Sequence, residues 1–230
     1  EEIAQPGYHR MYLKDYGIWV EQTATDRTGM YRLTFTQDSD ADILVNLGGY
    51  IASTTMRNAD VKKVSNNEIE GSFDTYGRHW GGPENVKVHF VIRFDKDFER
   101  LDGWRDKERY SDIDTLQGSS IITRRHPKEE LSYLDSPTSG VSAHYRVKTG
   151  DKICVRTAIS YVSVDNAREN LENDAVTWDF DLVKKTSQDE WNKWLGRIEV
   201  KGGSQKQRTK FYTDLWHVLL GRHKIDDVNG

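Results

Sequence analysis

The sequence predicts a mainly β fold: an antiparallel β-sandwich followed by two or three α-helices. Three observations carry this expectation. Over residues 1–164, apolar and polar residues alternate between closely spaced turn signals, with no helical period. From residue 165 the apolar spacing becomes that of amphipathic helices. The hydrophobic fraction is only 36%, but 7 Trp, 11 Tyr and 7 Phe let 230 residues bury a sizeable core.

Residues 12–35 read as three short strands with two tight returns. Tyr12 and Leu13 lead into Lys14-Asp15-Tyr16-Gly17, whose Asp and Gly are turn formers. Residues 18–25 are rich in β-branched side chains and carry Trp19. Asp26-Arg27-Thr28-Gly29 turns the chain again, and Tyr31, Leu33 and Phe35 alternate with Arg32 and Thr34. Ile43, Val45 and Leu47 follow a polar turn at 37–40. Val86, Val88, Phe90, Ile92 and Phe94 form an apolar face opposite Lys87, His89 and Arg93. Val141, Ala143, Tyr145 and Val147 do the same against Ser142, His144 and Arg146. Residues 153–164 are apolar on both faces, as in a central strand covered on both sides. Residues 103–137 are charge-rich and read as loops around a strand at 120–123.

At Asp165 the period changes. Asp165 is expected to cap a short helix running to about Asn173. Phe180, Val183, Ser187, Trp191, Trp194, Leu195 and Ile198 fall on one helical stripe, and a brief strand at 198–200 ends at Gly202-Gly203. Ser204 with Gln207 is a capping box. Phe211, Tyr212, Leu215, Trp216 and Leu219 face one side of the helix that follows, and Gly221 ends it. Nothing else in the sequence offers to bury that face. The expectation is therefore an N-terminal fragment of a larger protein.

The net charge of −4 and a pI near 6.0 argue against a nucleic-acid partner. No apolar run approaches the ~18 residues of a membrane span, so no membrane partner is expected. No charged-then-apolar signal segment opens the sequence. A single cysteine, Cys154, rules out an intrachain disulfide and reads as a small core residue. The sequence holds no Asn-x-Ser/Thr acceptor.

Few residues suggest chemistry. Asp38, Asp40 and Asp42 alternate as in a calcium loop but lack its Gly and closing Glu, so they read as a polar turn. Asp226 and Asp227 are adjacent carboxylates whose side chains should diverge, in a scaffold role. Glu129, Glu130, Asp112 and Asp114 read as solvated loop charges. His217 and His223 fit no usual zinc spacing, and His217 reads as a packed, hydrogen-bonded helix residue. Trp80 with His79, beside Gly81-Gly82, and Trp104 after Gly103 read as loop aromatics.

Three separated segments resemble glycoside hydrolase family 92. The first is Tyr16-Gly17-Ile18, then Thr23-Ala24-Thr25-Asp26-Arg27-Thr28-Gly29, then Tyr31-Arg32-Leu33-Thr34-Phe35. The second runs from Ala167-Arg168 and Asn170-Leu171-Glu172 through Trp178-Asp179-Phe180-Asp181 to Trp191-Asn192, Leu195 and Ile198-Glu199-Val200. The third is Phe211-Tyr212-Thr213, Leu215 and His217, with Asp227-Val228-Asn229-Gly230 after it.

The resemblance implies an exo-acting α-mannosidase. Residues 1–164 would be its N-terminal sandwich, 165–203 a helical interdomain linker, and 204–230 the first helix of a truncated catalytic (α/α)6 barrel. It implies an inverting reaction, with one carboxylic acid protonating the leaving oxygen and a carboxylate activating water. Calcium, bound by oxygen ligands of the barrel, would be the cofactor of the intact enzyme. Catalytic residues and metal ligands would all lie past Gly230, so none is expected in this chain. The implied partners are a mannose-containing glycan and the protein's own barrel, and the implied location is periplasmic or secreted. The sandwich would wall the sugar pocket, with Trp80 stacking on a pyranose ring and His79 bonding a hydroxyl. Two other readings stay open: a stand-alone carbohydrate-binding sandwich using Trp80, Trp104 and Tyr76, and an interaction module docking through the aromatics between Trp178 and Trp216.

Overall fold

A computed structural model describes residues 1–51, 54–77, 85–119, 139–174, 177–221 and 225–230. In chain order the strands are β1 (Glu2–Gln5), β2 (Tyr8–Leu13), β3 (Ile18–Ala24), β4 (Thr28–Phe35), β5 (Ser39–Asn46), β6 (Gly49–Ile51) and β7 (Thr54–Ser65). They continue with β8 (Glu68–Tyr76), β9 (Asn85–Phe94), β10 (Arg100–Arg105), β11 (Glu108–Tyr110), β12 (Thr115–Gln117), β13 (Ser139–Val147) and β14 (Lys152–Ser160). The helices α1 (Val164–Asp174), α2 (Phe180–Leu195) and α3 (Gln205–Leu220) follow.

The strands form two antiparallel sheets. The larger runs β1-β2-β3-β4-β14-β9-β8-β7-β12, with β6 paired to β7. The smaller runs β11-β10-β13-β5. Strand alternation sends one set of side chains between the sheets. Phe35, Val61, Ile69, Phe90, Phe94, Leu101, Val141, Tyr145 and Ile153 are among the buried residues of this core. Each such large apolar side chain stabilises the fold by roughly 1.5–3 kcal/mol.

The outer face of the larger sheet carries two helices, which explains the two-sided apolarity of β14. Its Ile153 and Val155 join the inter-sheet core. Its Cys154 packs with Tyr8, Met30, and Phe180 and Val183 of α2, while Ala158 packs with Val91, and Ala167 and Leu171 of α1. Charged groups pin both helices down. Arg32 binds Glu21 and Asp181 across to α2, and Arg168 of α1 binds Glu68 and Glu70.

Several local expectations need correction. β14 ends at Ser160, and Ser163 rather than Asp165 caps α1, its hydroxyl accepting from Asn166 N–H at 3.0 Å. No strand forms at 198–200, because one hydroxyl satisfies its backbone: Tyr212 Oη donates to the Ile198 carbonyl and accepts from Val200 N–H. Residues 103–117 are not loops throughout, since they hold the end of β10 and all of β11 and β12. The strand expected at 120–123 lies outside the described residues. The cap of α3 is as expected, with the Ser204 and Gln207 side chains each reaching the other's backbone N–H. That helix buries none of its side chains among the described residues. Its main anchor is an edge-on contact of Trp216 with Trp191, ring centroids 6.4 Å apart.

Candidate functional site

Two polar clusters share the outer face of the larger sheet. The first lies near the ends of β8 and β9. Antiparallel register sets Asp74 opposite both Arg57 and Lys87, and His89 opposite both Ser72 and Ser160. Residues directly opposite in a ladder project to the same face, and here it is the face away from Phe73 and Phe90 of the core. The register shifts between Arg57 and Asp60, a bulge in which Asn58 takes a left-handed φ of 54°. Bulges re-aim side chains, and a non-glycine residue tolerates this conformation only where its surroundings enforce it. Two bonds do so: Asn58 N–H donates to the Ser119 carbonyl at 2.9 Å, and Asn58 Nδ2 donates to Asp74 Oδ2 at 2.8 Å.

Lys87 Nζ lies 3.1 Å from Asp74 Oδ1, and the Arg57 guanidinium sits over the Tyr76 ring at 4.2 Å. Burial alone would raise the Asp74 carboxyl. Hydrogen bonds from Asn58 and Lys87, with the charge of Arg57, outweigh it and hold the group below the usual carboxylate range. Asp74 is thus kept ionised and is no proton donor near neutrality. Burial, then the Lys87 charge, pushes His89 down, so its ring stays neutral. Two buried atoms here, Arg57 Nε and His89 Nδ1, have no hydrogen-bond partner among the described residues.

The second cluster ties the segment around Asp227 to the sandwich. Asp227 is buried and accepts three hydrogen bonds, from Ser160 Oγ (2.7 Å), Asn166 Nδ2 (2.8 Å) and Asn170 Nδ2 (2.7 Å). Asn170, itself buried in α1, also donates to the Ile159 carbonyl and accepts from Val228 N–H. Arg27, in the turn before β4, reaches both Asp174 of α1 and Asp226. Ser160 thus belongs to both clusters: it faces His89 and it holds Asp227.

The structure separates most sequence-level candidates. Asp226 and Asp227 diverge as expected, and each ties their segment to the sandwich, through Arg27 and Ser160 respectively. His79 and Trp80 lie outside the described residues, between β8 and β9 in the sequence; Glu129, Glu130 and His223 lie outside them too. Trp104 is on a strand, not a loop. It belongs to the outer face of the smaller sheet, across the sandwich from Asp74 and His89, where its ring leaves no room for a Cβ on Gly140. Asp38, Asp40 and Asp42 do not converge: they engage Thr149, Arg146, and Ser142 with His144, respectively. Asp112 and Asp114 are exposed residues of a bend. His217 is exposed on α3 beside Trp216, rather than packed. Among the described residues no group of three or more His, Cys, Asp or Glu is placed to hold a metal ion. Arg57, Asp74 and His89 escape a reading of the sequence because long-range pairing, not spacing along the chain, brings them together.

Comparison with known proteins places this geometry. Residues 1–160 match the family model for the glycosyl hydrolase family 92 N-terminal domain, and residues 166–230 match that for the family 92 catalytic domain. The fold is similar to that of the family GH92 α-mannosidase BT3965 from Bacteroides thetaiotaomicron, with a TM-score of 0.79 and 25% identity over 100% of this chain. The same enzyme in complex with mannoimidazole gives a TM-score of 0.78 and 26% identity, again over 100% of this chain. The inverting mannosidase BT2199 from Bacteroides thetaiotaomicron VPI-5482 shares the fold, with a TM-score of 0.74 and 19% identity over 95% of this chain. This chain spans 28% of the first two solved chains and 26% of the third. No curated protein sequence matches it.

Proposed function

The chain belongs to glycosyl hydrolase family 92, and from that premise we propose that it is the sandwich and the start of the catalytic part of an enzyme that removes terminal α-linked mannose. The observation that carries the reading is the Asp227 junction. Asp227 bonds a segment matching the catalytic model to Ser160 of the sandwich, and Arg27 bonds the neighbouring Asp226 to the turn before β4. A catalytic domain continuing from there would rest against the outer face of the larger sheet. The solved relative in complex with mannoimidazole supports mannose as the sugar.

In this reading the chain's own residues position and do not transfer protons. Asp227, Asn166 and Asn170 fix where the catalytic part leaves the sandwich. The sandwich walls one side of the pocket, and His79 and Trp80, between β8 and β9 in the sequence, are proposed sugar contacts. The acid and the base of an inverting hydrolysis, and the oxygen ligands of a calcium ion, belong to the barrel. Bound there, calcium would supply a hard cation for the sugar oxygens. Its exported location is part of the same proposal.

The test is hydrolysis of an aryl α-mannoside, with and without a calcium chelator, by this chain and by one continued through its catalytic domain. Activity confined to the longer protein and lost on chelation is expected. Activity in the 230-residue chain itself would overturn the division of labour.

A further inference from the structure

We propose that Arg57, Asp74 and His89 form a binding site for a sugar unit of the glycan beyond the mannose that is cleaved. The proposal rests on the glycosidase reading above.

Three observations support a site rather than a solvated face. Arg57 Nε and His89 Nδ1 are both buried without a partner among the described residues, on the same face and flanking Asp74. Leaving such groups unsatisfied costs roughly 1–3 kcal/mol each, so an orphaned pair in one place calls for a ligand. The bulge at Arg57 and Asn58, with its left-handed Asn, holds the Arg57 side chain against Tyr76 and turns Asn58 onto Asp74. Finally, His89 lies directly opposite Ser160, whose hydroxyl holds Asp227. Strands are about 4.8 Å apart, so the cluster adjoins the point where the catalytic part joins the sandwich.

The chemistry selects a hydroxyl-rich ligand. A sugar hydroxyl both donates and accepts. Asp74 accepts, with lone pairs left over after Asn58 and Lys87. Arg57 Nε donates, and a neutral His89 ring does either according to its tautomer. The same set does not suit the cleaved mannose. That ring must sit between an acid and a base, and Asp74 is held ionised by two donors, with no second carboxylate opposite it in the ladder among the described residues. The sandwich face is left to hold the next sugar unit.

The experiment uses the protein continued through its catalytic domain, as wild type, Arg57→Ala, His89→Gln and Asp74→Asn. Steady-state kinetics are compared on an α-linked mannobiose and on an aryl α-mannoside, which has no second sugar. The expected result is a fall of about tenfold or more in the ratio of kcat/KM for mannobiose to kcat/KM for the aryl substrate, the size of one lost hydrogen bond to a charged group, with the melting temperature of His89→Gln retained. An unchanged ratio in His89→Gln and Asp74→Asn overturns the site, as does an equal loss on both substrates, which would mark contact with the catalytic domain. If the wild type hydrolyses neither substrate, the glycosidase reading fails by itself. The site is then judged by calorimetric binding of mannobiose to the same four proteins: weaker binding in the variants supports it, and equal binding, or none to wild type, overturns it.

Discussion

Asp227 shows how much a single side chain can organise. Burial works against its charge, but hydrogen bonds from Asn166, Ser160 and Asn170, with Arg27 nearby, keep its carboxyl below the usual range. Asp227→Asn replaces one accepting oxygen with a donor that faces donors, so it should destabilise the chain by about 1–3 kcal/mol, or several degrees in melting temperature. The sign with pH follows from the depressed folded value. The contribution is present above the unfolded pKa, about 4, and is lost as pH falls through the lower folded pKa. The melting gap between wild type and Asp227→Asn should therefore close below pH ~4, which a pH series of thermal melts would check. Cys154 makes the opposite case, a group silenced by packing. Burial first, then Asp95, pushes its thiol up to about 11. A thiol reagent at mildly alkaline pH should leave it unmodified in the folded chain and label it on unfolding; rapid labelling of the native protein would contradict its place under α2. Both carboxylates of Asp226-Asp227 and the core role of Cys154 were legible in the sequence. The partners of Asp227 were not, because Ser160, Asn166 and Asn170 lie 67, 61 and 57 residues away along the chain.

At the level of elements, apolar period and turn or cap residues set most of the boundaries. The strands at 12–35 and the helices starting after Asp179 and Ser204 follow local signals that tertiary packing reinforces. The departures have local causes as well. Ser163 displaces Asp165 as the cap because its hydroxyl lies three residues before the free Asn166 N–H. The end of β10 is hidden because Arg105, Asp106 and Lys107 follow Trp104 directly and read as loop charge. α3 differs from α1 and α2 in having no sheet beneath it among the described residues. Val218 and Leu220 are 69% and 48% exposed. Changing both to Glu should leave the stability of this chain within about 0.5 kcal/mol. The same pair should lower the melt of a protein continued through its catalytic domain, where an apolar helix face gains partners. Calorimetry on the two lengths would separate these outcomes, and equal effects would refute the assignment of α3 to the barrel.

The whole molecule is a sandwich with one face given to its own core and the other to helices. That asymmetry follows from sheet size: among the described residues the larger sheet has ten strands and the smaller four, and α1 and α2 cover part of the outer face of the larger one. What remains of that face, beside α1, includes the Asp74 and His89 cluster and the Asp227 junction. Membership of family 92 agrees with this layout, since residues matching the N-terminal and catalytic models meet there.

By itself the sequence determined the class of fold, the order of sheet before helix, the cap of the last helix and the family. Each is written in residue spacing or in short motifs, which survive without knowledge of distant contacts. Only the tertiary structure decided which polar residues share a face. Strand register joins Arg57 to Asp74 and His89 to Ser160 across large sequence separations, and a single bulge sets the orientation of one of them. Pairing of that kind is fixed by the packing of the whole sheet, so no stretch of the chain carries it alone.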